Sequence, residues 1–167
     1  MYYMTQQKYK YSAWKWWETE NQKLLPKLIA DGTIEYYKLQ QILPFEDTFV
    51  KPDIIIRYAT INIGSIQREF YLIVDSKFYK SEKWVRDNAT DIFAQMGKYA
   101  IALQNFMNPK TVSIDTVVSM PTSTCQVLLR ALAKERQINT FITKDLVATI
   151  NRRKYDALEL EKQYQND

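Results

Sequence analysis

The sequence predicts an α/β (α+β) fold, a central mixed sheet flanked by helices, and three observations carry that reading. Segments 53–60 (DIIIRYAT) and 69–77 (EFYLIVDSK) are rich in β-branched and aromatic residues, have strand length, and are separated by Gly64 at the turn between them. Residues 87–107 repeat Ile92, Phe93, Met96, Tyr99, Ala100 and Leu103 at helical spacing and end at Asn108-Pro109. A β-favouring run, 111–119 (TVSIDTVVS), follows at once, so a helix crosses between two strands and the sheet must be mixed.

The other elements follow by the same rules. Residues 12–30 place Trp14, Trp17, Leu24, Leu25, Leu28 and Ile29 at helical spacing, with Ser12 as N-cap, a break near Pro26 and Gly32 beyond the end. Residues 33–43 (TIEYYKLQQIL) read as a strand that stops at Pro44. Beyond Pro121, 124–136 reads as a helix, 138–143 as a short strand and 145–163 as a last helix. The order is therefore α, β, β, β, α, β over about 12–122, with an α-rich C-terminal extension over 123–167. A length of 167 residues suits one domain, 1–167.

Composition removes whole mechanisms. Apolar residues make up 46% of the chain and charged ones 25%, enough for a core and too little bias for disorder. No apolar run approaches the roughly 18 residues of a membrane span, and the amino terminus lacks an apolar leader, so the expectation is a soluble intracellular protein without a membrane partner. Histidine is absent, which excludes Ser-His-Asp and Cys-His catalysis and His-ligated metals. The three glycines (Gly32, Gly64, Gly97) stand too far apart for a dinucleotide or phosphate loop, so no nucleotide cofactor is expected. The single cysteine, Cys125, forms no internal disulfide and reads as a small buried residue. Acid–base chemistry is left to Asp, Glu, Lys and Tyr.

The net charge is +4, and the acidic excess lies between residues 31 and 75, with basic stretches on either side. That distribution suits carboxylates holding a cation while lysines and arginines meet a polyanion. The carboxylates concentrate at the second and third strands. Pro52-Asp53 opens one, and Asp75-Ser76-Lys77 ends the other. Side chains alternate along a strand, so Asp75 and Lys77 share a face that Asp53 can join from the neighbouring strand. Paired carboxylates without histidine suit a hard, oxygen-preferring cation, Mg²⁺ with Mn²⁺ as substitute. Beside such a cation, a lysine positions or deprotonates water and offsets charge in phosphodiester hydrolysis.

This pattern resembles the PD-(D/E)xK nuclease superfamily, with the restriction-endonuclease-like αβββαβ core. Pro52-Asp53 matches its PD and Asp75-Ser76-Lys77 its (D/E)xK. Gln95 and Tyr99, in DIFAQMGKYA, match the QxxxY of RecB-like members and share a helix face at i and i+4. The strings PDIIIRY and FYLIVDSKFYK look most like the nuclease subunit of methylcytosine-dependent McrBC systems, although Asp91 precedes Gln95 by four residues where three are expected. The resemblance implies a metal-dependent DNA endonuclease in which Asp53 and Asp75 ligate the cation, the Ser76 carbonyl completes the shell, Lys77 activates water, and Gln95 and Tyr99 orient the lysine or the phosphate. It also implies an acid from the first helix and a homodimer for cutting both strands; for that acid Glu20, at i+3 from Trp17 and i−4 from Leu24 on the apolar stripe, is preferred to Glu18.

Two other readings stand beside it: a DNA-binding or assembly subunit that keeps the fold without catalysis, and an RNA endonuclease of the same site chemistry. Lys80, Lys83 and Arg86, just after the third strand, are the phosphate-binding candidates. The aromatic and basic cluster Lys8, Tyr9, Lys10, Tyr11, Trp14, Lys15, Trp16, Trp17 reads first as core packing for Trp14 and Trp17, and second as a base-stacking surface. The run Arg152-Arg153-Lys154 reads as a solvated helix face.

Overall fold

The computed structural model of the chain describes the backbone of residues 2–107 and 111–165, and side chains from Ala13 onward within those ranges. The elements in chain order are α1 (Tyr2–Lys23), α2 (Leu25–Ala30), β1 (Tyr36–Leu39), β2 (Leu43–Phe45), β3 (Thr48–Val50), β4 (Ile54–Ile63), β5 (Ile66–Ser76), α3 (Glu82–Phe106), β6 (Val112–Ser119), α4 (Ser123–Glu135), β7 (Phe141–Thr143) and α5 (Leu146–Gln165). A five-stranded sheet runs β1-β4-β5-β6-β7. β1, β4 and β5 pair antiparallel, whereas β5, β6 and β7 pair parallel, so the sheet is mixed as the crossover helix α3 requires.

Alternation along β5 sorts the core into two layers. Tyr71 and Ile73 pack with Val85, Phe93 and Leu103 of α3 and with Leu129 of α4, while Phe70, Leu72 and Val74 pack with Leu25 and Leu28 of α2 and with Ile150 of α5. Helices therefore cover both faces. A bulge in β4 between Arg57 and Ala59 shifts the register against β5, so Ile54, Ile56, Tyr58, Ala59 and Ile61 all reach one layer. Gly64, with φ of 63°, takes the left-handed conformation in the β4–β5 turn. Burial of Cys125 is as expected.

Three expectations change. α1 begins at Tyr2, so Ser12 lies inside a helix and does not cap it, whereas the break expected near Pro26 is found at Leu24, with Pro26 in the first turn of α2. The segment 33–43 is not one strand. β1 ends at Leu39, Gln40 turns the backbone with φ of 54°, and Leu43–Phe45 pairs with Thr48–Val50 as a separate hairpin over α3. Pro44 fits inside that hairpin because a two-stranded ribbon leaves one edge of each strand unpaired. Trp14 is 37% exposed while Trp17 is buried, so only the latter serves the core. Tyr9, Tyr11, Lys8 and Lys10 have side chains outside the described residues.

Two of the three residues in the basic run of α5 are structural, where a solvated face is expected: Arg153 Nη2 lies 2.8 Å from Asp115 Oδ2 on β6, and Lys154 Nζ donates to the carbonyls of Gly32 and Thr33, fastening α5 to the sheet and the α2–β1 turn. Arg152 is solvated as expected and pairs with Asp156 within α5. Among the described residues no helix is long and apolar enough to cross a membrane.

Candidate active site

Asp53 is placed by the sheet register. Ile54 pairs with Val74, and one step further Asp53 stands opposite Asp75. The Ser76 amide donates to Asp53 Oδ2 at 3.0 Å and closes the register. Asp75 lies on the same face as Tyr71 and Ile73, towards α3, and Lys77 follows on that face with Nζ 3.0 Å from Asp75 Oδ2. The alternation argument thus holds for Asp53, Asp75 and Lys77. Ser76 points the other way and its hydroxyl accepts from Asn21 Nδ2 at 2.9 Å.

Asp75 is 3% exposed. Burial pushes its carboxyl up to about 7, opposed by the Lys77 ammonium and reinforced by Asp53. Burial alone would lower Lys77, but the adjoining Asp75 outweighs it and holds the ammonium above its ordinary value. Lys77 in this pair is a cation and a donor. In that state it has no lone pair with which to take a proton from water.

α3 brings Gln95 and Tyr99 to the same layer. Gln95 Nε2 donates to the Tyr99 hydroxyl oxygen at 2.7 Å, which leaves the phenol's own proton for another acceptor. Tyr99 is buried, more than the half-buried position its helix face suggests. Burial, then repulsion from Asp75 and Asp53, pushes its hydroxyl up, so it stays neutral. Lys77, Gln95 and Tyr99 line one open cleft of about 530 Å³, closed on its other side by Phe49, Val50 and Lys51 of the β2–β3 hairpin.

Of the two first-helix acids, Glu18 and not Glu20 lies beside Asp53. Glu20 has a side chain 41% exposed and pairs with Lys23 at 3.3 Å. The preference for Glu20 used Leu24 to mark the buried face, and the helix breaks at Leu24, so that marker lies outside the frame of α1. Trp17, Glu18 and Asn21 form the buried face instead. Trp17 Nε1 donates to the Ser119 carbonyl at 2.9 Å, and Asn21 Nδ2 spans the hydroxyls of Ser76 and Ser119. That latch fixes α1 across the ends of β5 and β6.

Glu18 Oε1 accepts from Gln40 Nε2 at 3.0 Å, and the same amide reaches Asp53 Oδ1 at 3.4 Å. Glu18 Oε2 is buried without a hydrogen-bond partner. Burial, then Asp53, pushes the Glu18 carboxyl up, against Lys15. Asn21 and Gln40 were missed by sequence reasoning. Gln40 carries no motif, because only its left-handed backbone after β1 turns its amide between the two acids.

Lys80, Lys83 and Arg86 are exposed around the start of α3, and none of them is ion-paired among the described residues. Also among the described residues, no three acidic or cysteine side chains converge closely enough to cage a metal ion by themselves. Comparison with known proteins finds no matching family model, no similar curated protein and no similar solved structure.

Proposed function

We propose that this chain is a metal-dependent phosphodiesterase that cleaves DNA, with the restriction-endonuclease-like core its element order suggests. The observation that carries the reading is the meeting of Asp53, Asp75 and Lys77 on one sheet face beside the Gln95–Tyr99 pair and an open cleft. The order α1, β1, β4, β5, α3, β6 supports the fold, with the β2–β3 hairpin as an insertion.

The donor set fits a hard cation. It offers only oxygens, it includes a buried carboxyl that keeps its proton up to about 7 in the cation's place, and Glu18 Oε2 is a buried acceptor without a partner. Asp53 and Asp75 would hold Mg²⁺ or Mn²⁺, leaving positions for water and substrate. Bound there, the cation supplies Lewis-acid polarisation of a phosphodiester and makes a water easier to deprotonate.

The chain's own groups do the rest. Lys77, charged and 21% exposed, faces the cleft as a donor to a phosphate oxygen and offsets the negative charge that grows in the transition state. Tyr99 holds a neutral O–H whose oxygen is fixed by Gln95, so its proton points to an anionic acceptor. Gln40 holds Glu18 and Asp53 together against their repulsion.

The test is cleavage of supercoiled plasmid, single-stranded DNA and RNA with Mg²⁺, Mn²⁺ or EDTA, in parallel with Asp75→Ala and Lys77→Ala. Metal-dependent cleavage that both variants lose is the expected result. Undiminished cleavage by well-folded Lys77→Ala, or no cleavage of any substrate, would overturn it.

A further inference from the structure

We infer that the surface running from Lys77 to the start of α3 is a stacking platform for single-stranded nucleic acid, with Trp84 and Phe78 holding a base and Lys80, Lys83 and Arg86 holding phosphates. The inference rests on the proposed nuclease reading and names its substrate class. A second cleft of about 230 Å³ opens between Phe78, Tyr79, Lys80 and Trp84. It is mainly apolar, yet it lies three residues from the acidic centre. Tyr79 also lines the larger cleft beside Lys77, so the two clefts share that residue. Asn88, another wall of the larger cleft, donates to the Trp84 carbonyl at 2.7 Å and ties the first turns of α3 into the same surface.

Trp84 is 54% exposed and belongs to neither core layer, so its ring is open to a ligand. Its neighbourhood is basic. Lys80, Lys83 and Arg86 outnumber Glu82 and Asp87 in the same stretch, and the larger cleft adds Lys51 and Lys98 against Asp91. Exposed aromatic faces interleaved with cations suit unpaired bases on a phosphate backbone, because every base has a π-face while phosphates need only charge. A duplex keeps its base faces stacked internally and offers Trp84 nothing to cover. Charge complementarity likewise favours a polyanion over an apolar protein segment. Phe49, 63% exposed on the opposite rim of the larger cleft, gives a second ring along the track.

The experiment is fluorescence anisotropy of labelled oligothymidylate and of a mixed-sequence duplex of equal length, in EDTA so that cleavage plays no part. The proteins are the wild-type chain, Trp84→Ala, Trp84→Phe, and a Lys80→Ala/Lys83→Ala/Arg86→Ala variant. Single-strand affinity should exceed duplex affinity, fall roughly 5- to 100-fold in Trp84→Ala and recover largely in Trp84→Phe. The triple variant should weaken binding and reduce the salt slope by about one per cation that touches phosphate. Equal single-strand affinity of the wild-type and Trp84→Ala proteins overturns the inference, as does equal loss of duplex and single-strand binding. Trp84-dependent binding without any metal-dependent cleavage would uphold this site and sink the nuclease. Cleavage indifferent to Trp84 would do the reverse.

Discussion

The Ser76 amide donates to Asp53 Oδ2 at 3.0 Å and thereby holds the start of β4 against the end of β5, with Asp75 beside the joint. Two carboxyl groups are forced together by sheet register, and the cost of their proximity is met by a proton on Asp75 and by the Lys77 ammonium at 3.0 Å. A divalent cation relieves the same repulsion without a proton.

Cation affinity should therefore depend on pH. Asp75 in the folded chain keeps its proton up to about 7, above the ordinary 3.8, so between those values the folded state binds more protons than the unfolded one. Stability of the cation-free protein then falls as pH rises through that window, during which Lys77 stays charged. In the proposed site Mg²⁺ would compete with that proton, so its affinity should rise over the same range. The gain in Tm on adding Mg²⁺ should be larger at pH 8 than at pH 5.5 by scanning calorimetry, and an equal gain at both would refute the displacement of a proton.

Glu18→Gln removes a buried charge whose carboxyl is pushed up by burial and by Asp53. A carboxyl raised in the folded state costs stability as pH rises through its folded pKa. The variant should raise Tm at pH 8 more than at pH 5, while lowering metal-dependent cleavage at least tenfold. Glu20→Gln, at the surface pair with Lys23, should change neither by a measurable amount. Thermal melts at the two pH values with parallel cleavage assays decide between the two acids.

Gln40 combines a left-handed backbone, φ 54°, with a side chain that bridges Glu18 and Asp53. Glycine adopts that conformation without strain, whereas alanine keeps the strain and loses the bridge. Gln40→Gly should match or exceed the stability of Gln40→Ala by about 1 kcal/mol in urea unfolding. Both should lose cleavage to a similar degree, since the amide is missing from each. Recovery of activity in the glycine variant alone would show that the backbone, and not the amide, matters.

Trp17→Phe keeps an aromatic ring in the buried face of α1 but removes one of two donors to the Ser119 carbonyl, which keeps the Lys77 amide at 2.9 Å. The expected loss is about 0.5–1.5 kcal/mol by denaturant unfolding, the net worth of one hydrogen bond, since the carbonyl stays paired. Cleavage should fall further than stability explains, because the same helix turn carries Glu18. A fall in stability with full activity would separate α1 docking from the site.

In the core layer over α3, Leu129→Ala should cost about 2–5 kcal/mol, since Leu129 is fully buried between α4 and the sheet. Cleavage at temperatures well below the shifted Tm should persist, as Leu129 lies on α4 and lines neither cleft.

The sequence alone determined what its short-range physics could express. The alternation in FYLIVDSK placed Asp75 and Lys77 on one face, and the 3.6-residue period of α3 placed Gln95 beside Tyr99. The crossover helix between β5 and β6 required a mixed sheet. Absence of histidine left oxygen and lysine chemistry as the available kind. Tertiary structure decided what depended on distant partners. Pro26 announced the break of α1 at Leu24, but whether Glu18 or Glu20 turned inward hung on docking Trp17 and Asn21 on Ser119 and Ser76. The hairpin that walls the cleft hung on Leu43–Phe45 finding Thr48–Val50 and the surface of α3, which outweighed the strand-ending tendency of Pro44. Gln40 joined the site through one left-handed residue. Local preferences fix faces and periods, but a rotation at a break or a turn is set by the energy of the contacts it brings together, and those contacts lie far apart in the chain.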